Sequence, residues 1–412
     1  MQPRHALRNK EDLRNHFSSF RKLEIGDLQQ MNRFSKMNVP QEVWEDASNR
    51  NLLSFNNEFV QQTKELTVNC RKIEHFYLVQ FLTNLTELDL SNNKISDISS
   101  ISKLTNLKKL YLNGNLIEDI SAIQSLIELT HLNIQQNKLT SYTLAMPNLK
   151  VLSIYSNPLQ DKSGLQHSPK LEDLYLSGTE TTDLRTIPHQ LFGLKVLYLS
   201  INNILDITYI SNFIDLQNLN LGFNKQLYNI EPLKFCTQLT ELRIYQTSVS
   251  DIWPLQFLKY LKTLIIDDTG VVDLHPLQYL YQLECISAFD ACIIDVSPLS
   301  NLTKINNLIL NDNKITNGET LKHHSNFSKY NLLNQQIPTT NELKFYNKIL
   351  KVHSSHKQIR KIMNEIKLVK FRTSLAQKQN YISTMLNNQI QTMNKQVNML
   401  IQLVQNSISY LE

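Results

Sequence analysis

The chain has 412 residues, 65 of them Leu and 44 Asn, with only 8 Gly and 11 Pro, which excludes collagen-like and Gly/Ser-rich chains. Its 41% apolar content suffices for a large core, no apolar run approaches the length of a membrane span, and four Cys without a CxxC pair are too few for a disulfide framework. The net charge of +5 conceals a split: 9 basic and 8 acidic residues in 1–62, 21 and 26 in 63–327, and 12 and 3 in 328–412, which marks a boundary near residue 328.

The opening MQPRHALRNKEDLRNHF has no apolar h-region. The chain therefore reads as unsecreted, and a reducing, cytoplasmic compartment is expected. Residues 1–62 form an N-terminal region of their own. Within it, QEVWEDASNRNLLSF follows Pro40 and spaces Val43, Trp44 and Ala47 near a helical period. That spacing predicts a helical cap covering the apolar end of whatever follows.

A repeat of 22 residues follows. LTNLTELDLSNNKISDISSISK begins at Leu82 and LTNLKKLYLNGNLIEDISAIQS at Leu104. With Leu85 as position zero, apolar residues recur at offsets 0, 3, 5, 10, 13, 16 and 19. Further copies start at Leu107, Leu129, Leu149, Leu171, Leu194, Leu216, Leu239, Leu261, Leu283 and Ile305, and a worn copy precedes Leu85, giving about twelve over residues 63–327. Offsets 3 and 5 alternate with polar residues, as in a short half-buried strand. One such strand cannot bury its face alone, so the copies must stack into one parallel sheet with a continuous core.

Two polar columns have structural readings. Offset 8 is Asn93, Asn115, Asn137, Asn157, Asn202, Asn224 and Asn313, with Thr179, Thr247, Thr269 and Ala291 in other copies. An inward amide there can serve the unpaired N–H and C=O groups of a sharp turn. Thr can do so in part and Ala cannot, so the Ala291 coil is expected to be looser. Offset 12 is Asp97, Asp119, Asp161, Asp183, Asp206, Asp251, Asp273 and Asp295. Each is expected to cap a short helical turn. A bare line of single carboxylates supplies too few oxygens for calcium.

The LxxLxLxxNxI pattern resembles leucine-rich repeats. The ISDIS and DVSPLSNLT wording is similar to two families, the repeat regulators of type-1 protein phosphatase and the bacterial internalins. The resemblance covers about two-thirds of the chain and implies an α/β fold. That fold is a leucine-rich-repeat solenoid with a parallel sheet on its concave face, to which the flanking residues add an expected helical N-terminal cap and helical C-terminal tail. It implies two alternative functions, a regulatory subunit of a type-1-like phosphatase or a secreted internalin-like adhesion protein. The missing signal sequence departs from the second, and the basic tail from the first.

The outward strand positions, offsets 2, 4 and 6, carry Asp89, Tyr111, Tyr155, Tyr175, Tyr198, Arg243, Tyr245, Asp267 and Phe289. Tyr and Arg are the residue types that dominate protein interfaces, and these share one face. They are the candidate protein-binding residues. The net acidic repeats should repel phosphates, so no nucleic acid is expected there.

No Walker loop, GxGxxG, HExxH or GxSxG occurs. His353 and His356, and the adjacent His323 and His324, lack companions for a metal set and are expected to be solvated. Cys285 and Cys292 are read as a strand and a turn residue. No catalytic residue, metal or cofactor is therefore expected. The chain reads as a non-enzymatic scaffold or adaptor that binds another protein on its concave face.

Residues 328–380 form a basic helical segment. Within it, 341–378 hold 10 Lys+Arg against 2 Asp+Glu, interleaved with Ile349, Leu350, Val352, Ile359, Ile362, Met363, Ile366, Val369 and Phe371. A packed helix with a solvated basic face competes with contact to an anionic membrane, an acidic partner or nucleic acid. Residues 381–412 carry heptads, with Ile390, Val397, Val404 and Leu411 on one seam and Leu386, Met393 and Leu400 on the other. They predict self-association through residues 386–411, or an antiparallel fold-back.

Overall fold

The computed structural model describes residues 63–336, apart from 70–72, 75, 77, 78 and 81, with Lys344 beyond them. The chain divides into two compact units, Met1–Ile337 and Pro338–Glu412. The expected N-terminal cap in residues 1–62, the basic helix at 341–378 and the heptads at 386–411 lie outside the described residues, as do His353 and His356.

Twelve three-residue strands form one parallel sheet in strict chain order. They are β1 (Glu65–Thr67), β2 (Glu87–Asp89), β3 (Lys109–Tyr111), β4 (His131–Asn133), β5 (Val151–Ser153), β6 (Asp173–Tyr175), β7 (Val196–Tyr198), β8 (Asn218–Asn220), β9 (Glu241–Arg243), β10 (Thr263–Ile265), β11 (Cys285–Ser287) and β12 (Asn307–Ile309). Each strand centres on offset 3, and matching offsets pair across the sheet, as in Leu88↔Leu110 and Leu174↔Leu197. Coils of 20, 22 and 23 residues all keep this register, so length differences are absorbed away from the strands. The return path of most coils includes a 3₁₀ turn of three to five residues, such as Ser99–Lys103 and Ser121–Ile123. The coil beginning at Leu129 is the short one, and a single bridge, Ser141↔Asp161, takes the place of that turn.

The apolar columns make one continuous core. Leu88, Leu110, Leu152, Leu174 and Leu197 are fully buried, and so are Leu112, Leu176 and Leu199 two residues on. Offset 13 departs from the aliphatic rule inside the core with fully buried Tyr142 and with Lys162 at 6% exposure. Lys162 Nζ donates to the Leu159 carbonyl at 2.7 Å. Burial pushes this ammonium's pKa down, and it pushes the Tyr142 phenol up to about 12.

The Asn column forms a ladder. Each Asn Nδ2 donates to the offset-5 carbonyl of its own coil and to that of the preceding coil. Asn115 does so to Leu112 and Leu90 at 2.9 and 3.0 Å. Its Oδ1 accepts the buried Ile95 N–H of the preceding coil at 3.0 Å. The same backward bond joins Asn137 to Ile117, Asn224 to Ile204 and Asn313 to Ile293. Thr247 and Thr269 donate only to the offset-5 carbonyls of their own coils, and Thr247 Oγ1 also accepts the Val249 N–H at 3.5 Å. At Ala291 the neighbours compensate in part: Thr269 covers Ile266 and Asn313 covers Ala288.

The residue before the ladder position is left-handed in every coil from Leu85 onward, with φ between 48° and 67° from Asn92 to Asn334. The chain turns off the sheet there. Gly114 and Gly178 suit this conformation, whereas Ile201 and Phe223 occupy it against the steric preference of a large side chain.

The Asp column caps as expected. Asp97, Asp119, Asp161, Asp183, Asp206, Asp251, Asp273 and Asp295 each accept the backbone N–H two residues on, at 2.7–2.9 Å.

The repeat runs past residue 327. Asn331 bridges to Ile309, and Gln335 takes the ladder position of a truncated thirteenth turn. Its Oε1 accepts the Ile315 N–H at 3.0 Å and its Nε2 donates to the Leu310 carbonyl at 2.8 Å. This turn also corrects the reading of His324, which is buried at 4% exposure rather than solvated. Its two ring nitrogens contact the Ser300 carbonyl at 2.9 Å and the Tyr330 hydroxyl at 2.8 Å, while His323 is exposed.

Candidate functional site

Side chains at offsets 2, 4 and 6 leave the sheet on the side away from the core, because successive strand residues alternate in direction. All nine candidate residues lie on this face, half-buried apart from the more exposed Phe289. In-register pairing brings equal offsets of adjacent coils beside one another. Tyr175 and Tyr198 are such a pair, and their rings meet edge-to-face with centroids 5.0 Å apart.

Side-chain height varies from strand to strand and makes a hollow of about 260 Å³ over β5. Its floor is the short Val151 and Ser153, and its walls include Tyr111, His131, Gln135, Tyr155 and Tyr175. Ser153 Oγ donates to Gln135 Oε1 at 2.9 Å, which fixes one wall to the floor. The His131 ring faces Thr130 Oγ1 at 2.9 Å. Burial, with Lys109 nearby, pushes the His131 pKa down and favours the neutral ring. Partial burial likewise raises the pKa of the Tyr175 and Tyr198 phenols.

The other candidates separate from this hollow. Asp89 Oδ1 accepts the Ser91 N–H at 2.9 Å. Asp267 Oδ1 accepts Ser287 Oγ at 2.6 Å and the Phe289 N–H at 2.8 Å, so it braces neighbouring coils. Arg243 is paired with Glu241 on its own strand. Tyr245 packs edge-to-face on Phe223 with centroids 5.2 Å apart, above Gly222, where a Cβ would come within 2.5 Å of the Tyr245 ring. The face thus carries two aromatic groups, one around the hollow and one at Phe223 and Tyr245. His131, Asp173 and Phe223 join them without having been singled out from the sequence. The column position of His131 and Asp173, at offset 2, was the available signal.

Cys236, Cys285 and Cys292 are free thiols. Among the described residues no group of three or more His, Cys, Asp or Glu could hold a metal ion, and no helix is long and apolar enough to cross a membrane.

A family model described as leucine-rich repeats in two copies matches residues 83–125. The repeats are leucine-rich repeats. Among solved structures, the chain is similar to the internalin InlF of Listeria monocytogenes, with 28% identity and a TM-score of 0.62 over 69% of this chain and 85% of that one. A leucine-rich-repeat protein of Leptospira interrogans shares the fold at 20% identity and a TM-score of 0.51, covering 72% of this chain and 86% of that one. So does a chain of the LRIM1/APL1C complex, at 18% identity and 0.54, covering 85% of this chain and 67% of that one. No curated protein matches the sequence. Leucine-rich repeats of this kind are generally interaction modules without catalysis, and the likeness to an internalin agrees with the wording of the repeats.

Proposed function

We propose that this chain is a non-catalytic scaffold or adaptor that binds another protein through the sheet face, the concave side of the solenoid. The observation that supports this most is the half-buried tyrosine group around the hollow. Tyr buries a large apolar area, keeps a polar tip and loses little side-chain entropy. The proposal also assigns residues 1–62 to a helical cap, the residues beyond the truncated thirteenth turn up to 380 to a basic helix and 381–412 to a self-associating coiled coil. A cytoplasmic location is part of it. The likeness to InlF favours one second reading, an internalin-like adhesion protein acting outside the cell.

The test uses a partner captured by the full chain. Replacing Tyr155, Tyr175 and Tyr198 together by Ser should leave folding intact, because these side chains leave the core. Partner affinity should fall by roughly 2–4 kcal/mol, the scale of a hot-spot cluster. The control changes Asp97, Asp119 and Asp206 to Asn on the opposite side, which keeps a capping side chain. Normal binding by the Tyr variant with loss in the Asp variant would place the interface on the other side. Loss of binding only when residues 338–412 are removed would assign it to the tail.

A further inference from the structure

We propose that the hollow over β5 receives an arginine side chain of the partner, with Asp173, on the strand beside its floor, as its counter-ion and Tyr155 and Tyr175 as its aromatic wall. The inference rests on the sheet-face reading and adds the chemistry of what is recognised there.

Asp173 opens β6, in register with Val151 of the hollow floor. It is half-buried, and its carboxylate makes no hydrogen bond or ion pair among the described residues. The acids around it are already engaged. Glu87 pairs with Lys109 at 3.0 Å, Glu172 with Lys150 and Lys195 at 3.3 and 2.7 Å, and Glu241 with Arg243. Burial, and then the neighbouring Glu172 carboxylate, raise the pKa of Asp173, and the opposing pull of Lys195 and His131 offsets this only in part. A partner that brings a cation removes that cost.

The hollow has no cation of its own. Its lining contains neither Lys nor Arg, and its one basic group, His131, is biased towards the neutral ring. Its walls are aromatic, and a cation within about 6 Å of a tyrosine face is attracted by the ring quadrupole. An acidic side chain would meet Asp173 at close range, and a purely apolar one would bury that carboxylate without a partner. Between the two cations, guanidinium fits better than ammonium. It is planar, stacks on rings and presents five donors, which suits a site with one carboxylate and several hydroxyl and amide oxygens.

The experiment uses the full chain with isotope-labelled tyrosine rings and a capped Gly-Gly-Arg-Gly-Gly peptide as probe. A second peptide carries citrulline, which keeps the shape of arginine without its charge. The Arg peptide should shift the Tyr155 and Tyr175 ring signals saturably and leave buried Tyr142 unmoved. Affinity should drop about fivefold or more for the citrulline peptide, and equally in Asp173→Asn. No saturable shift, equal response to citrulline, or indifference to Asp173→Asn overturns the inference. Its failure is separable from that of the parent reading. A captured partner lost by the Tyr155/Tyr175/Tyr198 variant but held by Asp173→Asn leaves the sheet face standing without the arginine. A partner held by both variants removes both.

Discussion

Replacing Asn115 by Ala tests the ladder where its bonds are unequal. The two carbonyls that Asn115 serves have second donors, because Asn93 Nδ2 also reaches Leu90 O at 3.0 Å and Asn137 Nδ2 also reaches Leu112 O at 3.0 Å. The Ile95 N–H is different. It is buried, and its bond is the 3.0 Å one to Asn115 Oδ1. The loss therefore concentrates on one orphaned amide, which costs about 1–3 kcal/mol. For a domain of this size, roughly 2 kcal/mol corresponds to a melting point lower by about 4–8 °C. Urea denaturation of the full chain gives the stability change, and amide hydrogen exchange locates it. Ile95 should lose protection while the Leu110 and Leu132 amides keep theirs. Thr247→Ala, which removes one bond to the Ile244 carbonyl and a long 3.5 Å one from the Val249 N–H, should cost less. An Asn115→Ala protein that melts with the parent and keeps Ile95 protected would refute the ladder account.

Ile201 is 62% exposed and held at a φ of 56°, so Ile201→Asn relieves backbone strain while giving up little burial. A gain of about 1 kcal/mol in urea denaturation is expected, and a loss would contradict the strain argument. Asp119 has its carboxyl pKa held below the ordinary range, first by the Ser121 backbone N–H and then by the Ser121 hydroxyl. Its contribution is present above the unfolded-state pKa and is lost as pH falls through the lower folded value, so Asp119→Asn should flatten the acid limb of the stability–pH curve. An unchanged acid limb would show that this cap carries no pH dependence. Sedimentation of the full chain against residues 1–380 should show an oligomer for the full chain alone, and monomers in both would end the coiled-coil proposal.

The elements best legible in the sequence were those set by period. Leu88, Leu110 and Leu132 centre strands because burial of one face demands alternation, and the Asn and Asp columns follow from backbone groups that every coil leaves open. The left-handed column was less legible. Gly114, Asn92 and Asp268 suit it, but Ile201 and Phe223 hide it, because coil closure overrides local preference there. Gln335 escaped notice because a longer amide reached the same carbonyl after the strand pattern had faded. His324 looked solvated because its partners, Ser300 and Tyr330, belong to different coils or lie beyond the expected boundary. The nine sheet-face residues were placed on the right side of the strands. Their division into a hollow, a second aromatic group and bracing carboxylates depends on differences in side-chain height between adjacent coils. A column reading treats all coils alike, so Asp173 beside the small Val151 stayed invisible.

The ladder amides all reach backward, and this gives the stack a direction. Removing a coil from the C-terminal end strands an N–H in the coil that remains, as at the buried Ile293 without Asn313 or the half-buried Ile315 without Gln335. Removing one from the other end frees a ladder side-chain amide together with backbone N–H groups that point back, such as those of Lys108, Lys109 and Leu116. The two ends of the stack therefore differ in what closes them: a side-chain oxygen at the rear, backbone carbonyls at the front. Fraying that starts at the rear leaves an unmet donor wherever the lost coil carried a ladder amide, so Gln335 works as the stop that keeps the last coil from opening.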